Sequence, residues 1–181
     1  MAAPAMVQGA TFEVDTAHTT IGFSIRHMVI NNVQGAFREF QGAIEYNEQD
    51  PASLSIKGSI KAASVDTGIA ARDEHLRSGD FFDVTKYPEI TFESTRVSHR
   101  DGQLILIGNF TLHGVTQEIR LPLTIAGPIT DPQGNVRIGL ETSLVLNRKD
   151  YGMNWSKVID NGGLVVGDEV TIQINAEAMH K

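Results

Sequence analysis

Residues 69–94 read IAARDEHLRSGDFFDVTKYPEITFES, and they decide the fold. The first half has helical character over about 68–78: Asp66 and Thr67 are candidate N-caps, Gly79 is a stop, and Ile69 and Leu76 sit seven apart on one side. Both flanks are long alternating strands. A strand series broken once by a short helix and two adjacent phenylalanines, Phe81 and Phe82, suits a barrel that covers one end or side and keeps an apolar interior.

Outward from this stretch the hydrophobic period is two. Ile21, Phe23 and Ile25 alternate with Gly22, Ser24 and Arg26, and Leu54, Ile56, Gly58 and Ile60 alternate with Ser55, Lys57 and Ser59. The same alternation runs through Ile119–Ile125, Val136–Leu146 and Val170–Ala176. Turn chemistry separates the runs at Asn47–Pro51, Asp101-Gly102, His113-Gly114, Asp131–Gly134 and Asn161–Gly163. These breaks predict about eight antiparallel, meander-connected strands. LILI at 104–107 is apolar in both parities, so its outer face needs a cover, and the helix is the expected one.

Composition narrows the classes of partner. The 181 residues suit one domain from Thr11 onward; the first ten, MAAPAMVQGA, read as a flexible segment or the remnant of a cleaved signal. The net charge of -7 disfavours nucleic acid and anionic bilayers unless a local basic patch overrides it. No cysteine is present, which removes disulfides and thiolate chemistry and leaves the compartment open. No run approaches the ~20 apolar residues of a membrane-spanning helix, so stable membrane insertion is not expected.

Strands of about 12 residues at ~3.3 Å each, tilted ~40°, build a wall near ~30 Å tall. Many inward positions are small, namely Gly58, Ala62, Gly108, Ala176 and Ala178, which points to an elongated apolar tunnel. Enlarging Gly108 or Ala176 to Leu is therefore expected to keep the fold and displace a ligand. The alternative is that Phe23, Phe37, Phe40, Phe92 and Phe110 with the aliphatics fill the interior as ordinary core, as in a β-sandwich interaction domain.

No serine elbow, phosphate loop or zinc helix is present. A carboxylate pair assembled from Asp73, Glu74, Asp80 or Asp83 would be needed for a lipid-modifying enzyme on the same barrel. The six histidines, among them His18 and His113, include no close His-x-His or His-x3-His pair, so no metal site is expected.

DTAHTTIGFSIRHM, GAFREFQGAIEY, RDEHLRSGDFFDVTKYPEITFES, GNFTLHGVTQEIRLPL and NRKDYG occur in this order, and together they resemble the successive signatures of the YceI-like family, from about Phe12 to about Ala178. Phe12 stands where the family often has tryptophan. The resemblance implies an all-β, extended, eight-stranded antiparallel lipocalin-like barrel that binds a polyisoprenoid or isoprenoid quinone without catalysis. It implies no cofactor beyond that lipid, and a periplasmic or secreted setting, the alternative being cytoplasmic. A homodimer is compatible with these observations.

On this reading the lumen is lined by Phe23, Ile25, Phe37, Phe40, Ile56, Ile60, Phe81, Phe82, Phe92, Phe110, Leu123, Leu144 and Trp155. The ligand's polar head is met by Arg72, Asp73 and His75 beside the helix or by Arg148, Lys149, Tyr151 and Lys157 in RKDYGMNWSK. For each group there is a plainer role. Asp73 bonds into the barrel rim, and the 148–157 segment is a solvated turn anchored by Trp155.

Overall fold

A computed structural model of the chain describes residues 9–158 and 163–180. Its strands are β1 (Ala10–Val14), β2 (Thr20–His27), β3 (Asn31–Phe37), β4 (Phe40–Tyr46), β5 (Ser55–Lys61), β6 (Val65–Asp66), β7 (Glu89–Arg100), β8 (Gln103–Leu112), β9 (Val115–Thr130), β10 (Val136–Asn147) and β11 (Val166–His180), with one α-helix, α1 (Ala70–Arg77). Asn161 and Gly162 of the expected turn at Asn161–Gly163 and most of the first ten residues lie outside the described residues, although Ala10 already pairs with Tyr46.

The eleven segments make eight wall strands, because β1 with β2, β3 with β4, and β5 with β6 are each one strand with a break. Neighbours in sequence pair in turn, and β11 closes the ring on both halves of the first strand, through Ala178 with Val14 and Ile174 with Ile21. Closure leaves no β-sandwich and protects the strand edges.

The breaks have local causes. At residues 15–19 the β11 backbone is satisfied by Asp15 N–H donating to the Glu177 carbonyl at 2.8 Å and by Thr19 Oγ1 accepting from Glu177 N–H at 3.1 Å. At Arg38 the N–H turns to the Ser64 carbonyl. Asp101-Gly102 and His113-Gly114 both have two successive positive φ angles, near 52° and 80° and near 52° and 74°, the tight turn whose twist matches the flanking strands.

Two apolar clusters cap the barrel. Phe12, Ile44, Leu106, Ile138 and Ala178 close the lower end, while Phe37, Val65, Ile90, Tyr151 and Met153 gather beneath α1 at the upper end.

The helix departs from expectation in three ways. Its N-cap is Ile69, with no side-chain cap, because Asp66 is held in the β3–β6 ladder and binds Gly68 N–H and Arg38. Ile69 is exposed and only Leu76 packs on the upper cluster, so the two do not share a buried face. Nor does α1 cover LILI: it packs at the upper end, where Arg77 donates to the Ala63 and Val65 carbonyls at 2.7 and 3.0 Å. Ile107 is nevertheless buried. Arg96 and Arg120 flank it in register, and the bidentate Arg96–Glu118 pair, at 3.0 and 3.1 Å, bridges across β8, so that aliphatic side-chain stems shield it.

Candidate functional site

The interior is hollow in two adjoining lobes. The upper lobe, about 290 Å³, lies beneath α1 and is walled by β2, β3, β11 and the 146–155 segment; the lower, about 150 Å³, lies between β4, β5 and β9–β11. Ile21, Ile60, Ile90, Phe110, Ile172 and Ile174 line both, so the two lobes adjoin along the axis and together form an apolar channel. Each lobe far exceeds the ~10–15 Å³ that one water probe needs.

The hollow has a local origin in side chains that are small or pulled aside. Gly42 and Gly58 are paired in the wall of the lower lobe, and the gap they leave lies over Gly58, where no side chain comes within 4 Å of an added Cβ, whereas Val14 Cγ2 lies 3.0 Å from a Cβ at Gly42. Gly58 and Ala176 line that lobe, whereas Ala62 and Ala178 are packed into the end clusters. Gly108 is different. A Cβ there would lie 2.6 Å from Phe92 Cζ and 2.5 Å from the Glu93 carbonyl, so its space is already taken by the Phe92 ring and is not lumen.

All thirteen expected apolar wall residues border the channel. Phe23, Ile25, Phe37, Phe81, Phe82 and Trp155 line the upper lobe, Phe40, Ile56, Phe92, Leu123 and Leu144 the lower, and Ile60 and Phe110 both. Phe37 stacks edge-on with Phe82 at 5.6 Å, and Phe81 tilts against Trp155 at 5.2 Å. The phenylalanines that could have plugged the barrel line its wall instead. Val33, Met153, Val165 and Val166 carry no alternating pattern in the sequence, yet they line the upper lobe together with Val170 and Ile172. The alternation of 170–174 was the available signal for the last two.

The polar candidates divide. Arg72, His75, Arg148 and Tyr151 border the upper lobe. Asp73, Lys149 and Lys157 do not, and each has another engagement. Buried Asp73 accepts from Thr67 N–H at 2.9 Å and Thr67 Oγ1 at 2.6 Å, Lys149 pairs with Asp168 at 2.9 Å, and exposed Lys157 lies over the outer Trp155 ring. Arg72 is itself tied to Thr67, through Oγ1 at 2.7 Å and the carbonyl at 2.8 Å. His75 binds Asp80 at 2.8 Å and meets the Trp155 ring edge-on.

Arg148 is a structural cation at the end of β10. It is 3% exposed and donates to the Gly167, Met153 and Val166 carbonyls, with Asp168 at 3.4 Å. Burial lowers its pKa, and Asp168 partly offsets this. Tyr151, 1% exposed, packs edge-on to Phe110, and burial first and Asp150 second push its phenol pKa up. It therefore stays a neutral hydrogen-bond donor and acceptor beside an apolar lumen.

Asp15, His18 and Glu177 bring three possible ligand atoms within 4.8 Å outside the barrel. The cation held there is Arg137, whose guanidinium binds Asp15 at 2.8 Å, Asp131 at 2.7 Å and Glu177.

Comparison with known proteins agrees with this architecture. The model of the YceI-like domain matches residues 12–178. A UPF0312 protein of Pseudomonas aeruginosa is 38% identical over 152 residues, covering 84% of this chain and 80% of its own. Burkholderia cenocepacia BcnA superposes with a TM-score of 0.79 at 22% identity, over 91% of this chain and 98% of BcnA. A polyisoprenoid binding domain from Saccharophagus degradans, implicated in plant cell wall breakdown, superposes at 0.70 with 16% identity, over 96% and 100%. With a closed eight-stranded wall, a hollow apolar axis and a family match that runs almost end to end, this chain belongs to the YceI-like domain family.

Proposed function

We propose that the protein holds the apolar chain of a long amphiphilic lipid, a polyisoprenoid or an isoprenoid quinone, in its channel, as a non-catalytic carrier or store. One observation carries this reading: two adjoining apolar lobes along the barrel axis whose lining includes no aspartate or glutamate among the described residues. Burying ~20 carbons at ~0.8 kcal/mol each contributes a gross ~16 kcal/mol, enough to survive the costs of association and chain ordering. The structural likeness to a polyisoprenoid binding domain points the same way.

In this reading the polar head lies at the upper lobe, which Arg72, His75 and Tyr151 border. A neutral phenol suits a carbonyl or hydroxyl head group. Of the carboxylates that a lipid-modifying enzyme would need, Asp73 is engaged by Thr67, Glu74 by Arg77 and Asp80 by His75, and none of them, Asp83 included, lines either lobe. The proposed setting is the periplasm or the extracellular space, where a hydrophobic lipid needs a carrier between surfaces.

Native mass spectrometry of gently purified protein tests the reading. An apolar molecule of a few hundred daltons or more is expected to co-purify and to leave on activation. A barrel that is empty and that takes up no added isoprenoid quinone overturns it.

A further inference from the structure

The tip of the β2–β3 hairpin is built against the rules for such tips. Met28 and Val29 occupy its left-handed positions, with φ of 49° and 66°, where Asn-Gly is favoured and a β-branched residue is strained. The strained turn is held by Arg26 Nε donating to the Val29 carbonyl at 3.0 Å. Its side chains face water: Met28 is 39% exposed, Val29 54% and Ile30 81%. Met28 N–H donates to the Val165 carbonyl, and Val158, 72% exposed, lies on the neighbouring segment that bridges to Leu164. Three large apolar side chains thus stand exposed at the tip and a fourth on the segment beside it, a pattern that marks an interaction site.

The location identifies the occupant. Ile25 and Val33, paired across the same hairpin, line the upper lobe, and so do Val165 and Val166. The exposed tip continues the lumen wall outward. The electrostatics differ from those of the rest of the molecule: no aspartate or glutamate occurs from Thr16 to Arg38, although the chain has a net charge of -7. Arg26 and His27 flank the tip, and the sequence of the neighbouring segment, 157–165, holds Lys157 and a single carboxylate, Asp160. Apolar side chains backed by cations, at the end of a lipid-sized channel, match the chemistry of an interfacial anchor.

We propose that the β2–β3 tip, Met28-Val29-Ile30, with Val158 beside it, is a docking wedge for a lipid bilayer surface. It seats the upper lobe against the membrane so that a lipid passes between bilayer and channel without crossing water. The wedge lies in the interface and does not span. This inference rests on the proposed lipid carriage, and its test reads vesicle binding separately from lipid content.

The test uses flotation of the full chain with vesicles of phosphatidylcholine alone and with an added third of phosphatidylglycerol. The paired substitution Met28→Asn/Val29→Gly puts the favoured residues into the same turn, so the hairpin stays formed and the wedge is removed. Ile30→Ser is the second variant. Wild type is expected to float with anionic vesicles and, more weakly, with neutral ones. Each variant is expected to lose binding by about tenfold or more while its bound lipid, read by native mass spectrometry, is unchanged. Variants that bind as well as wild type overturn the proposal. So does a wild type that ignores vesicles, including one that instead self-associates through the tip. An empty barrel that still docks through the tip would sink lipid carriage and leave the docking surface standing.

Discussion

Gly42 and Gly58 stand directly opposite each other across the β4–β5 ladder, and a Cβ added at Gly58 would lie 3.9 Å from the Gly42 Cα and 3.3 Å from the Gln41 carbonyl. Gly58 keeps the lower lobe open, since Val14 Cγ2 already lies 3.0 Å from a Cβ built at Gly42, and the contrast separates wall positions that tolerate enlargement from those that do not.

Gly58→Leu places a side chain in the lower lobe with only a slight backbone shift. It is expected to fold, at a cost of about 1–3 kcal/mol, and to lose long-chain ligand. Gly108→Leu, driven into the Phe92 ring and the Glu93 carbonyl, is expected to cost more than about 3 kcal/mol. Chemical denaturation and ligand occupancy measured side by side check this; equal behaviour of the two variants would refute the assignment of free and filled space.

Asp73 serves as an internal anchor for α1 through Thr67. Asp73→Ala leaves two Thr67 donors unpaired and is expected to destabilise by about 1–3 kcal/mol, with faster amide exchange in residues 67–77. Both bonds end on the one oxygen Oδ1, so Asp73→Asn, whose amide oxygen can still accept them without the charge, recovers part of the loss. Unchanged exchange alongside lost ligand would make Asp73 a head-group contact instead.

Arg148→Lys keeps the charge but cannot reach the Gly167, Met153 and Val166 carbonyls as the planar guanidinium does. A loss of about 2–4 kcal/mol is expected from unpaired buried carbonyls, and Arg148→Met is expected to be no better. A lysine variant as stable as wild type, by denaturant midpoint, would contradict the structural role.

The Arg137 guanidinium beside Asp15 holds that carboxyl at about 2, with His18 assisting and burial opposing. Arg137 likewise holds Asp131 well below the usual carboxylate range. Because the folded values lie below the unfolded ones, this stability is present above about pH 4 and is lost as pH falls toward about 2. His18 has the opposite sign: Asp15 raises its pKa, so its contribution is complete below about 6.5 and disappears as pH rises through the folded value. Thermal midpoints from pH 2 to 9 should show both arms in wild type. Arg137→Met should be less stable at neutrality and should have a shallower acid arm; a curve parallel to wild type below pH 4 would exclude this linkage.

Much of this was legible because strand parity is local. The alternation from Ile21 to Ile25 and from Ile56 to Ile60 placed those side chains on the inner face, and Asp101-Gly102 and His113-Gly114 marked the turns where two positive φ angles follow each other. The cover of Ile107 was not legible, because Arg96 and Glu118 meet across an intervening strand and are 22 residues apart in sequence. The cap of α1 was misread for a related reason: Asp66 is recruited by β3, a partner that no local rule includes.

By itself the sequence determined an antiparallel, eight-stranded, all-β domain with one short helix, and an oily inner face, since side-chain direction in a strand depends only on position along the chain. Whether that inner face was filled or hollow was decided by the tertiary structure. The volume left along the axis depends on how rings from distant strands settle: Phe92 into the space at Gly108, Phe37 against Phe82, and two glycines left facing each other at the centre of the wall. Packing is a property of all the strands at once, and a linear pattern does not record it.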